Sequence, residues 1–184
     1  AIPAGRFSRW TTYFLIITIG SFLIAVSSKV QVPFYPVPMT LQTMTVLMLG
    51  MALGWRLAGA TLFLYLVEGA LGLPVFAGTP EKGVGLAYML GSTGGYLFGF
   101  IIAAMVCGWL AERGWGYNFI STAACMVIGN LLIYGFGLFW LGMTFGWDKP
   151  LLEWGVIPFL WGDLLKIIIA ALVMPLAWKI SVKH

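Results

Sequence analysis

The stretch "LWGDLLKIII" (residues 160–169) decides how this chain is read. It runs on into "AALVMPLAW" (170–178), so Asp163 and Lys166 stand three residues apart inside a segment otherwise fit for lipid. On a helix, positions three apart share a face, and Phe159, Ile167 and Ala170 extend that face in both directions. Counted from the outer end of a span over about 154–179, Asp163 is expected about 13 Å down the helix. Charges at that depth cost several kcal/mol if they face hydrocarbon, so they are expected to face the bundle interior. Two readings stay open on the residues alone. One is an intrahelical ion pair that neutralises itself. The other is a binding site, because a carboxylate accepts N–H groups and an ammonium donates to a carbonyl. Together they suit a guest with neighbouring donor and acceptor groups, such as a urea or an amide.

The rest of the chain agrees with a lipid solvent. Of its 184 residues 61% are hydrophobic and only 9% charged, and the mean hydropathy is +0.98. A soluble domain carries about 25% charge, so this chain lacks the charges to make a water-facing surface. Its net charge is +4, from ten Lys and Arg against six Asp and Glu, and the basic residues are scattered singly. They form no patch for nucleic acid and are better explained as membrane-loop residues. Cys107 and Cys125 lie in apolar stretches without CxxC spacing, and read as small core residues rather than a disulfide or metal framework.

A full crossing takes about 20 apolar residues. With the charges as rulers, six spans are expected, at about 10–28, 39–54, 56–72, 91–111, 117–143 and 154–179. The expectation is an all-α, six-helix integral membrane bundle in a single domain over 1–184, with structured outer loops. The first run, Thr11–Val26 after Arg6 and Arg9 and before "AVS" (25–27), also has the grammar of a signal peptide. It is read as a first span, and a few native residues are expected upstream of Ala1. An even number of spans puts both termini on one side. That side carries Arg6, Arg9, Arg56, Arg113, Lys179 and Lys183, against Lys29, Lys82 and Lys149 on the other. The excess of basic residues predicts cytoplasmic termini. Two outer connections, "SKVQVPFYPVPMTLQ" (28–42) and "GLPVFAGTPEKGVGLAYMLGSTGGY" (72–96), are long and aromatic. They are expected to fold over the outer mouth of the bundle, bringing Phe34, Tyr35, Phe76 and Tyr88 to it.

Other polar residues at span depth are candidates. Asn130 in "VIGNLLIYG" offers two donors and an acceptor, and reads equally as a ligand group or as a helix-to-helix hydrogen bond. Thr40, Gln42 and Thr43 open the second span beneath the proline-rich loop, as cavity lining or as a helix cap. Glu68 reads as structural. Gly91, Gly95 and Gly99 repeat every four residues, the spacing that lets membrane helices approach closely. Ser92 and Thr93 sit at the start of span 4, where free N–H groups attract an anion. Ser21 and Ala25 form a small-xxx-small pair in span 1, a docking stripe for a partner helix. No GxxxxGK[ST] is present, and the only histidine is His184. No metal site or cofactor is expected. Two rival functions remain: an intramembrane enzyme resting on Asp163 alone, which lacks a second catalytic group, and a solitary ion-coupled or facilitative carrier.

Several stretches together resemble the BioY family: "VPFYPVPMTLQT" (32–43), "EGALGLPVFAG" (68–78), "GSTGGYLFGF" (91–100), "GNLLIYGFGLFWL" (129–141) and "WGDLLKIIIAA" (161–171). That family comprises the biotin-binding substrate (S) components of energy-coupling factor (ECF) vitamin transporters. The resemblance runs nearly the whole length, in order. It implies a six-helix S-component fold, a prokaryotic cytoplasmic membrane, and a biotin site near the outer face capped by the first and third loops. It also implies a separate coupling module, a transmembrane T protein with two ATPase subunits, which agrees with the missing P-loop. The family's Asp-x-x-Lys pair falls on Asp163 and Lys166 and is implied to meet the ureido ring. Members that hold the valerate carboxylate with an Arg near the start of span 4 and an Asn in the long loop differ here. "GSTGGY" has no Arg and "FAGTP" no Asn, so Ser92, Thr93 and backbone N–H groups are expected to meet that carboxylate.

Overall fold

The computed structural model describes residues 4–181, with side chains described over 9–179. Lys183 and His184, and the side chain of Arg6, lie outside the described residues. The long helices are α1 (Ala4–Lys29), α2 (Gln42–Ala70), α4 (Gly94–Ala111), α5 (Phe119–Phe145) and α7 (Leu160–Ser181). The connections hold a two-stranded antiparallel ribbon, β1 (Gln31–Val32) with β2 (Met39–Thr40), and the short helices α3 (Gly85–Met89) and α6 (Leu151–Gly155). A 3₁₀ turn, Ile157–Phe159, precedes α7. Among the described residues five helical stretches are long and apolar enough to cross a membrane.

One of those five is two spans. Within α2, Gly54 has φ 75° and ψ 167°, a conformation essentially reserved for glycine. In a straight helix Gln42 and Tyr65 would stand about 34 Å apart. Instead Gln42 Nε2 donates to the Tyr65 hydroxyl at 2.7 Å. The chain therefore doubles back at Gly54 into two limbs, 42–53 and 55–70, and the helices make six passes. The expected break between 54 and 56 falls where the sequence placed it.

Small residues set the close packing. A Cβ on Gly95 would lie 2.2 Å from Trp140 Cβ and 2.5 Å from the Phe136 carbonyl oxygen, and one on Gly99 3.1 Å from Ile133 Cα. These two glycines let α4 and α5 touch backbone to backbone, as their spacing predicts. Gly91 lies before the helix, against the Tyr88 carbonyl, and meets α5 differently: its own carbonyl accepts from Trp140 Nε1 at 2.8 Å. On the other side of α4, Gly50 of the first limb meets Ala104. The outward faces are apolar: Phe14, Phe22, Leu131, Phe139 and Leu172 are all more than half exposed, as side chains that meet lipid should be.

Two expectations need correcting. The last apolar stretch runs Leu151–Lys179, but its continuous helix begins only at Leu160, because Pro158 lacks an N–H and disfavours helix at the residue before it. Asp163 therefore sits in the first turn of α7 rather than 13 Å down a helix, where the N-terminal dipole favours a carboxylate. Ser21 and Ala25 do not present a stripe to a partner. Ser21 is fully buried and its hydroxyl donates to Glu68 Oε2, and Ala25 packs on the core. The stripe is small because the second limb of α2 lies on it: a Cβ on the neighbouring Gly20 would come 2.7 Å from Thr61. Glu68 has the structural contact expected of it.

Candidate functional site

Where α7 begins, four passes and both long connections converge on one cavity of about 50 Å³. The proline-rich connection contributes Val37, Pro38, Met39 and Thr40, and the long one Ala77, Tyr88 and Thr93. The walls come from Tyr96, Leu97 and Phe100 of α4, Ile133 and Tyr134 of α5, and Phe159. Gln42 and Thr43 of α2 and Asp163 and Lys166 of α7 add the remaining polar groups. Apolar walls with a few convergent polar groups are the usual form of a small-molecule site.

The charged pair is buried. Asp163 is 4% and Lys166 8% exposed, and Lys166 Nζ lies 2.9 Å from Asp163 Oδ1. Such a pair needs further hydrogen bonds to offset desolvation, and two other passes supply them. Lys166 Nζ donates to Thr43 Oγ1 at 3.0 Å, the Thr43 hydroxyl donates to Asp163 Oδ1 at 3.4 Å, and the Tyr134 hydroxyl donates to Asp163 Oδ2. The two readings of "DLLK" are thus not exclusive. The pair neutralises itself along the helix and also lines the cavity.

The covering loops are tied down from below. Lys29 Nζ, at the end of α1, donates to the carbonyl of Phe76 at 2.9 Å, and to the Thr79 hydroxyl at 3.0 Å and carbonyl at 3.3 Å. Ser28 Oγ and the Tyr65 hydroxyl both donate to the Val75 carbonyl, at 2.7 and 3.0 Å. Phe76 is fully buried under Tyr88, their rings stacked at 4.9 Å. Burial raises the Tyr88 phenol above its ordinary range.

Of the candidate residues, Asp163, Lys166, Gln42, Thr40, Tyr88 and Thr93 line the cavity. The others do not. Phe76 is a layer behind Tyr88. Phe34 is half-buried and reaches the cavity only through Phe159, with ring centroids 6.3 Å apart. Tyr35 is 86% exposed, because β1 and β2 pair on either side of it and turn the tip of the loop outward. Ser92 spends its hydroxyl on the Pro36 carbonyl at 2.8 Å, which joins the two loops. Asn130 is buried one helical turn from Tyr134, and its Oδ1 has no partner among the described residues. Tyr134, which touches the carboxylate, was not singled out from sequence. Its four-residue spacing from Asn130 was the available signal. Among the described residues no cluster of side chains could hold a metal ion.

Comparison with known proteins follows the same lines. A family model described as "BioY family" matches residues 6–183. "Biotin transporter BioY" of Thermotoga maritima is 38% identical over 162 residues, covering 88% of this chain and 93% of that protein. "Biotin transporter BioY2" of Lactococcus lactis is 32% identical over 158 residues, covering 85% of each. A crystal structure of the S-component for biotin from an ECF-type ABC transporter superposes with a TM-score of 0.79, covering 97% of this chain and 95% of that one at 23% identity. That likeness establishes the six-pass fold.

Proposed function

The chain belongs to the BioY family, and from that premise we propose that it is a biotin-binding S component that takes biotin up across a prokaryotic cytoplasmic membrane. Its named relatives are transporters, not enzymes. The observation that carries the reading is the buried Asp163–Lys166 pair opening on a cavity with apolar walls. The bicyclic head of biotin displays N–H and C=O groups side by side. The Asp163 carboxylate accepts a ureido N–H and the Lys166 ammonium donates to the ureido oxygen. Phe159, Tyr88 and Phe100 pack on the rings. The valerate chain runs toward Thr93 and Thr40, with Thr93 as the carboxylate contact.

A cavity of about 50 Å³ is well below the roughly 300–1,000 Å³ of a small-molecule pocket, so a bicyclic guest is admitted by the two covering loops moving apart and closing again. The charge excess at the terminal end supports cytoplasmic termini, which puts the loops on the outside, where biotin arrives. Energy comes from a coupling module with ATPase subunits, in keeping with the absence of a P-loop in this chain.

The test is biotin binding to purified protein, with Asp163→Asn and Lys166→Met. Loss of a hydrogen bond to a charged group costs about 1.5–3 kcal/mol, so each change should weaken binding by at least about tenfold. Unchanged affinity in Asp163→Asn removes the reading. Uptake into vesicles with and without ATPase subunits then tells a coupled S component from a solitary carrier.

A further inference from the structure

We propose that Thr43 and Tyr134 reduce the Asp163–Lys166 pair to one open acceptor and one open donor, so that the pair reads a single N–H/C=O edge of a cyclic urea. The inference rests on the biotin reading and makes it more specific: of the two ureido N–H groups, this pair recognises one.

A carboxylate has about four lone-pair positions and an ammonium three N–H donors. Asp163 Oδ1 accepts from Lys166 at 2.9 Å and from Thr43 at 3.4 Å, which fills it. Oδ2 accepts from Tyr134, which leaves one lone pair on that oxygen. Lys166 donates to Asp163 and to Thr43, and its third N–H has no further partner among the described residues. Thr43 does double duty. Its oxygen accepts from the ammonium and its O–H donates to the carboxylate, closing a ring of three groups that holds Nζ against Oδ1.

Direction matters as much as number. Tyr134 reaches Asp163 from a different pass, α5, and its ring lies nearly parallel to Phe159, 14° apart at 6.4 Å between centroids. Its hydroxyl is therefore held in place and pins Oδ2, so the carboxylate cannot turn freely to meet donors on either side. Gln42 is turned toward Tyr65, to whose hydroxyl its Nε2 donates at 2.7 Å, and its Oε1 accepts from Thr40 at 3.5 Å. Tyr134 and Thr43 are positioning residues: they act through Asp163 and Lys166.

The decisive probes are biotin and the two isosteric cyclic carbamates in which one or the other ureido N–H is replaced by a ring oxygen, titrated against the purified full chain. Biotin itself is the control for the underlying function; if it does not bind, the functional reading fails and the present inference with it. With biotin bound, one carbamate should bind within about threefold of biotin and the other about tenfold or more weaker. Equal losses for both, or no loss for either, overturn the single-edge reading. In Tyr134→Phe a lone pair and a rotation are freed, so the ratio between the carbamates should fall below about threefold. Thr43→Ser, which keeps the hydroxyl, should preserve the ratio. An unchanged ratio in Tyr134→Phe overturns the role of that tyrosine. The carbamate pair on the wild-type chain decides the single-edge reading even where a variant fails to fold.

Discussion

Asp163 and Lys166 satisfy each other well enough that their worth to folding and their worth to binding can be separated. Removing one partner of a buried pair leaves the other charge uncompensated and costs about 3–5 kcal/mol, whereas replacing both with apolar groups of similar volume is often neutral or better. Lys166→Met alone should therefore lower the unfolding temperature clearly. The double change Asp163→Leu with Lys166→Met should recover most of that loss and yet bind no biotin. Thermal unfolding in detergent and a binding titration read the two quantities side by side. A double variant no more stable than the single one means that the pair holds the bundle together rather than being kept for a guest. The pair was legible in the sequence because two charges in a segment of this hydropathy have no cheap place except an interior. Tyr134 was not, because a tyrosine in an apolar run reads as core, and only its hydroxyl contact with a residue 29 positions away gives it a different meaning. Tyr35 misled in the opposite direction. An aromatic in a loop suggests a cover, but the two-residue ribbon beneath it faces it outward.

Elements were legible where a hard rule governs them and illegible where hydropathy averages over a break. Arg56 beside Gly54 forced a turn between two apolar runs, and the turn is there. Pro158 was averaged into a long apolar span, although it divides α6 from α7 and so places Asp163 at a helix start. The Gly54 turn makes a sharp prediction. A Cβ there would lie 2.5 Å from Glu112 Oε1, the same oxygen that accepts from the Trp55 N–H at 3.2 Å. Gly54→Ala meets both a clash and a backbone conformation that costs a non-glycine residue about 1–3 kcal/mol. It should lower the unfolding temperature. Gly135→Ala, inside α5 with open space where its Cβ would go, should leave stability unchanged or raise it by up to about 1 kcal/mol. If the two variants melt alike, the hairpin is not held by that glycine.

Across the whole molecule, the cavity's cover is held by a helix that does not line the cavity at all. The C-terminal end of α1 grips the long connection through Lys29 on Phe76 and Thr79 and through Ser28 on Val75. Phe76 in turn supports Tyr88, which faces the cavity. The second limb of α2 joins the same point through Tyr65, itself held by Gln42 at the cavity wall. The aromatic content of the two connections made a cover legible in the sequence. The grip of α1 was not, because Lys29 stands 47 residues from Phe76 and looks like a flanking charge at a span end. If the cover must part to admit and release biotin, loosening this grip should act on rates more than on recognition. Lys29→Met removes three hydrogen bonds outside the cavity and none inside it. It should raise the dissociation rate of biotin severalfold while leaving the ratio between the two cyclic carbamates unchanged, which stopped-flow release and equilibrium titration would measure on one preparation. A changed carbamate ratio would mean that Lys29 shapes the charged floor rather than the cover. An unchanged dissociation rate would mean that the long connection is not what holds biotin in.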